Sequence, residues 1–204
     1  MAALYYETGG GEGEWLVEEN WLSPDSSVCS GWFGVTCCAQ YYNDVTLRCA
    51  DAHPKQIAEL DLHGNNLHGS IPDALSLLQD LHVLWLDDNK LSGPLKGATF
   101  AQMSSLTELY VQHNFLTGPI QPSLRGNGIL HTLFIQGNLL EGKWPNQFCP
   151  KKGKAEEPFL AFGLDCTRHD CPPDCCYLHN TKHCFEGDYH GAEDKDEDER
   201  RQFR

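Results

Sequence analysis

The chain has 204 residues, enough for one domain with small appendages, and 40% of them are hydrophobic. A formal charge of −14, from 15 basic and 29 acidic residues, leaves no broad basic surface for nucleic acid or an anionic membrane and favours a basic or neutral partner. No apolar run reaches the roughly 18 residues a transmembrane helix requires, so no membrane insertion is expected within this chain.

Ten cysteines fall in two terminal groups: Cys29, Cys37, Cys38 and Cys49, then Cys149, Cys166, Cys171, Cys175, Cys176 and Cys184. An even count confined to the ends reads as two disulfide-stapled caps and an oxidising compartment, secreted or lumenal. Met1 to Gly13 lacks a basic start followed by an apolar core, so no signal peptide is visible. The two observations agree if the chain is a mature form or fragment whose targeting segment has been removed or lies outside the numbering.

Met1 to Tyr6 is short and apolar, and the glycines at 9, 10, 11 and 13 end whatever helix it starts. One or two helical turns are expected there, lying on the first coil of the repeat region. Trp15, Trp21 and Trp32 come next, and tryptophans this dense beside cysteines suggest a plug over an open core, with carbohydrate binding as the alternative. Cys29 with Cys37 and Cys38 with Cys49 is the preferred pairing, and the adjacency of Cys37 and Cys38 leaves the swap open.

From Ile57 to Trp144 the sequence repeats itself. The pattern L-x-L-x-x-N-x-L occurs at Leu60, Leu62, Asn65, Leu67; at Leu84, Leu86, Asn89, Leu91; at Leu109, Val111, Asn114, Leu116; and at Leu133, Ile135, Asn138, Leu140. Asparagines 24, 25 and 24 residues apart are the mark of a solenoid, in which each coil needs its neighbours. Period-two alternation in Glu59-Leu60-Asp61-Leu62-His63 sends the leucines inward and the polar residues outward on a short strand. Strands of successive units should then pair in parallel, and each asparagine should turn in to satisfy backbone groups at the bend.

After each asparagine comes a glycine and proline segment, such as Leu67-x-Gly69-Ser-Ile71-Pro72 and Leu91-x-Gly93-Pro94-Leu95. Glycine allows a tight turn there and proline is expected to keep the segment out of a regular ladder. Leucines spaced by three, as in Leu75 and Leu78, predict a turn of 3₁₀ or α-helix on the opposite side.

The run L-x-x-L-x-L-x-x-N-x-L-x-G-x-I-P resembles the plant-type leucine-rich repeat, found in polygalacturonase-inhibiting proteins and in plant receptor-kinase ectodomains. The stretch from Asn20 to Cys37, closing in Trp32-Phe-Gly-Val-Thr-Cys37, resembles the amino-terminal cap of the same group. The carboxy-terminal cysteines are richer than the usual plant pair, and their C-x-x-x-C-C section is similar to the ends of secreted leucine-rich-repeat proteins of microalgae. The resemblance implies an α/β solenoid: a short right-handed leucine-rich-repeat coil with a parallel concave sheet and disulfide-stapled caps at both ends. Residues 1–56 are then the amino-terminal cap, 57–148 four repeats, 149–185 a cysteine-rich cap, and 186–204 an acidic disordered tail or tether. A zinc reading of Cys166, His169, Cys171, Cys175, Cys176, His179, His183 and Cys184 competes with disulfides, but the spacing matches no paired C-x-x-C form. No cofactor or metal is assigned.

In that architecture the outward strand positions form rows across the coils. They are Glu59, Val83, Glu108, Thr132; then Asp61, Trp85, Tyr110, Phe134; then His63, Asp87, Gln112, Gln136; then Gly64, Asp88, His113, Gly137. The fold does not need aromatics in the second row, so three in succession suggest a recognition surface, with mutual stacking as the bland alternative. The candidate partner-binding residues are Glu59, Asp61, His63, Trp85, Asp87, Asp88, Glu108, Tyr110, Gln112, His113, Phe134 and Gln136. His63 is expected to face Asp87, and His113 to face Asp88, on adjacent coils. No G-x-S-x-G, no H-E-x-x-H and no phosphate-cradling loop occurs, so no enzyme is expected. The function expected is a non-enzymatic module that binds a protein or peptide with basic groups on its concave face. The alternatives are a structural subunit of a larger assembly and a glycan-binding domain.

Overall fold

The computed structural model describes residues 1–38, 56–126, 128–145, 148, 161–163 and 169–170, the last two stretches as backbone. The expected partner Cys49, most of the cysteine-rich cap with every candidate zinc ligand except His169, and the acidic tail lie outside the described residues. In chain order the strands are β1 (Val35–Cys37), β2 (Ile57–Asp61), β3 (His68–Ser70), β4 (Val83–Trp85), β5 (Lys90–Pro94), β6 (Glu108–Tyr110), β7 (Phe115–Pro119), β8 (Thr132–Phe134), β9 (Leu139–Lys143), β10 (Ala161–Gly163) and β11 (His169–Asp170).

These strands form two sheets. The first has the order β1-β2-β4-β6-β8-β10, parallel throughout except that β1 runs antiparallel to β2. Leu60, Leu84, Leu109 and Leu133 face inward in register and are fully buried, as the alternation requires. The second sheet, β11-β9-β7-β5-β3, is built, apart from the cap strand β11, from the glycine and proline segments expected to be turns. Proline does not prevent this, because Pro94 and Pro119 are the last residues of β5 and β7, where a missing N–H interrupts nothing. Across the core, 3₁₀ turns at Asp73–Leu77 and Pro122–Arg125 and the helical turn at Gly97–Ala101 bury Leu75, Leu124 and Phe100.

Between the sheets runs the asparagine ladder, all four members at most 6% exposed. Asn89 is typical. Its Nδ2 donates to the carbonyls of Leu62 at 2.8 Å, Leu86 at 3.0 Å and Asp87 at 3.0 Å, while its Oδ1 accepts from the amides of Asn65 at 3.0 Å and Leu67 at 2.9 Å. Asn114 and Asn138 repeat the pattern, reaching back to the amides of Leu91 and Leu116. Asn65 does the same with Val17, donating to its carbonyl and accepting from its amide.

The amino-terminal segment closes the first coil. Helix α1 (Ala2–Glu7) buries Leu4 and Tyr5, and Tyr5 joins Trp15 and Trp21 in a cluster with ring centroids 4.9–5.8 Å apart. The indole nitrogens of Trp15 and Trp21 donate to the carbonyls of Thr8 and Phe33, so both rings are buried without an unpaired donor. Burial removes Trp15 and Trp21 from the carbohydrate-binding alternative, while Trp32, the third tryptophan of that reading, is half-buried against Trp21. Gly34, at φ +73°, lets β1 close on β2, because a Cβ there would strike the Asp61 carbonyl oxygen. Cys29 is bonded to Cys37 with a Cα separation of 5.4 Å, and Cys38 is likewise disulfide-bonded.

Candidate functional site

The outward rows are in register. Glu59, Val83, Glu108 and Thr132 pair in succession from strand to strand, and so do Asp61, Trp85, Tyr110 and Phe134. The ladder runs on into the third and fourth rows through Leu62 N–H to Trp85 O, Gly64 N–H to Asp87 O, Asp88 N–H to Gln112 O and His113 N–H to Gln136 O. Val83 and Thr132 are buried at 5% and 7%, so the first row presents only Glu59 and Glu108.

Trp85, Tyr110 and Phe134 are half-buried and stacked, with centroids 5.7 and 5.3 Å apart and planes 18° and 9° from parallel. The centroid separation follows the strand spacing, so the rings stand across the row like plates in a rack. Their facing sides cover one another, so Tyr110 is closed on both faces. On the far side of Phe134 the row reaches Gly163, which has no side chain. A sugar stacks on an exposed ring face, and Tyr110 offers none. The two ends of the stack, Trp85 and Phe134, each keep one face that no other ring of the row covers.

Two carboxylates frame the rings. Tyr110 donates its hydroxyl to Glu108 Oε2 at 2.8 Å, and its own ionisation is pushed up, first by burial, then by that bond and by the charges of Glu108 and Asp87. His63 Nδ1 lies 2.5 Å from Asp61 Oδ1, two residues earlier on its own chain segment, so its carboxylate partner differs from the Asp87 expected from the rows. The i, i+2 pair shares one face of a strand and needs no reach to the next coil. Asp87 still feels His63 electrostatically. Its carboxyl is pushed up to about 7, chiefly by burial, with the charges of Asp88 and Asp61 also raising it and its own backbone N–H and His63 opposing.

The fourth row carries a backbone signal that the sequence pattern does not reveal. Gly64, Asp88, His113 and Gly137 all lie in the left-handed region, at φ 58°, 53°, 54° and 66°. Two coils use glycine there, and two hold an acid and a histidine at a strain of about 1 kcal/mol each. The third row holds another feature the sequence hides: Asp87 Oδ1, Gln112 Oε1 and Gln136 Oε1 are buried atoms with no hydrogen-bond donor among the described residues. The alternation marks all three as outward, and nothing in it shows that these oxygens are buried.

The structure thus brings the twelve candidates, from Glu59 to Gln136, onto one face, with Asp88 the most exposed of them. Among the described residues no group of three or more His, Cys, Asp or Glu side chains could hold a metal, and no helix is long and apolar enough to cross a membrane.

Residues 55–116 match the leucine-rich-repeat family model. A probable receptor-like serine/threonine-protein kinase with leucine-rich repeats from Arabidopsis thaliana is 34% identical over 106 residues, covering 50% of this chain and 10% of that protein. The chain therefore spans a small part of the length of such relatives. Among solved structures, the BIR3–SERK2 complex from Arabidopsis thaliana superposes with a TM-score of 0.53 at 27% identity, over 70% of this chain and 68% of the other. The ectodomain of the Arabidopsis receptor kinase HAESA, in complex with an extended IDA peptide hormone, gives 0.52 at 28% identity, over 72% and 21%.

Proposed function

We propose that this chain, whose residues 55–116 match the leucine-rich-repeat family model, is a non-enzymatic recognition module that binds a protein or peptide across the sheet bearing Trp85, Tyr110 and Phe134. The observation that carries the reading is the ring ladder, in register on three consecutive coils and with its edges outward. Buried leucines and asparagines complete the fold without it, and partly exposed aromatic side chains are the residue type that anchors interfaces. The peptide-hormone complex of the HAESA ectodomain and the BIR3–SERK2 complex support the same class of role. The Cys29–Cys37 bond fits an extracellular or other oxidising setting.

The test is recovery of partners from native extract on the immobilised full chain, repeated with Trp85→Ala and Tyr110→Ala together. Loss of the bound protein, with an unchanged circular dichroism spectrum, is expected. Retention by the double variant would move the site away from this face.

A further inference from the structure

The third row of the face holds the three unpartnered oxygens of Asp87, Gln112 and Gln136, one on each of three successive coils. The side chains themselves are partly exposed, so rotation about their own bonds brings the oxygens to the surface. Those three oxygens hold no donor, so the rotation gives up none of theirs, and at Asp87 it gives up the bond from the residue's own backbone N–H.

Strand spacing sets the acceptors roughly 4.8 Å apart, whereas an extended chain repeats its N–H groups on one edge every ~6.7 Å. A regular backbone therefore cannot serve neighbouring acceptors, and a side chain with several donors can. The charge on the row is also uneven. Its acids are confined to the second coil, at Asp87 with Asp88 beside it in the fourth row, and the next two coils carry neutral amides. The nearer acid, Asp61, already holds His63, and Glu108 holds the Tyr110 hydroxyl. No Lys or Arg occurs in windows 57–64, 81–88, 106–113 or 130–137.

We propose, resting on the peptide-binding reading, that Asp87 and Gln112 form a subsite for an arginine side chain of the partner, bridging the second and third coils beside the Tyr110 ring. The guanidinium presents five N–H donors in a planar fork, which can reach a carboxylate oxygen and an amide oxygen on adjacent strands at once. A lysine ammonium supplies the charge but no such fork. The arginine stem lies along the ring edges of the second row, which gives its methylenes an apolar bed. Gln136, one coil further, takes a neutral donor and so fixes the direction in which the peptide runs. Asp87 must ionise to hold the cation, so its position near neutrality makes the subsite weaken as pH falls below about 7. The groups whose charge bears on it are Asp88, His63 and Asp61.

The probe is a display library of linear twelve-residue peptides, selected on the oxidised full chain, on Asp87→Asn, on Gln112→Leu, and on the Trp85→Ala, Tyr110→Ala pair. Peptides enriched on the wild type are expected to share one arginine at a fixed place. They should bind Asp87→Asn at least about tenfold more weakly, and should lose affinity between pH 8 and pH 6 only on chains that retain Asp87. Lysine serving equally well, or an arginine preference that survives both Asp87→Asn and Gln112→Leu, overturns the subsite while leaving the face intact. Enriched peptides that ignore the loss of Trp85 and Tyr110, or no enrichment at all, overturn the face itself and the subsite with it.

Discussion

Replacing Asn89 by alanine removes five hydrogen bonds from the middle of the solenoid. The two amides of Asn65 and Leu67, which donate to Asn89 Oδ1 at 3.0 and 2.9 Å, lose their acceptor, and Asn89 is only 6% exposed, so water does not readily replace it. Each buried orphan donor costs about 1–3 kcal/mol, and the two share a bend, so the losses are not fully additive. A loss of about 3 kcal/mol is expected. Asn138→Ala is the internal control, because its Oδ1 accepts, among the described residues, from the Leu116 amide alone, and its cost should be about half as large. Urea unfolding of the oxidised chain, followed by far-ultraviolet circular dichroism, measures both. A loss for Asn89→Ala below about 0.5 kcal/mol, the range of a surface change, would show that the ladder amide carries no net stability. A larger loss for Asn138→Ala would contradict the reading that orphaned amides set the cost.

Two further outcomes follow from the face and its closure. The folded chain holds a proton on Asp87 up to about pH 7, whereas the ordinary carboxyl has given it up near 3.8, so this group's contribution to stability falls as pH rises from about 4 to about 7. Over that window the wild type should lose at most about 4 kcal/mol relative to Asp87→Asn, read from paired urea curves at pH 4, 6 and 8, and parallel curves for the two chains would contradict it. Gly34→Ala should destabilise by more than about 1 kcal/mol, since the added methyl meets the Asp61 carbonyl and φ is +73°; loss of amide-exchange protection at Asp61, which donates to the Gly34 carbonyl at 2.7 Å, locates the damage.

The parts of the fold legible in the sequence are those governed by a strict period. Leucine parity identifies the first sheet and its inward face, and the recurring asparagine marks each bend, because both positions admit few residue types. The second sheet is not legible. Lys90-Leu-Ser-Gly-Pro94 has the composition of a turn, and its strand character comes from pairing with Phe115–Pro119 on the next coil, a contact no local pattern encodes. On the candidate face, alternation identifies Trp85, Tyr110 and Phe134 but cannot choose between Asp61 and Asp87 as the partner of His63, since both lie within reach of a strand neighbour. The inward turn of the Asp87, Gln112 and Gln136 oxygens depends on side-chain rotation, to which a period-two pattern is blind.

Every asparagine in the ladder reaches backward. Asn89 secures the bend at Leu67, Asn114 the one at Leu91, Asn138 the one at Leu116, and Asn65 the segment at Val17. A ribosome delivers the chain in the opposite sense, amino end first, so each newly made coil waits for its successor's amide before its own bend is locked. Maturation of the solenoid thus lags its synthesis by one repeat, about 24 residues by the spacing of Asn65 and Asn89, and each late rung ratchets the one before it into place.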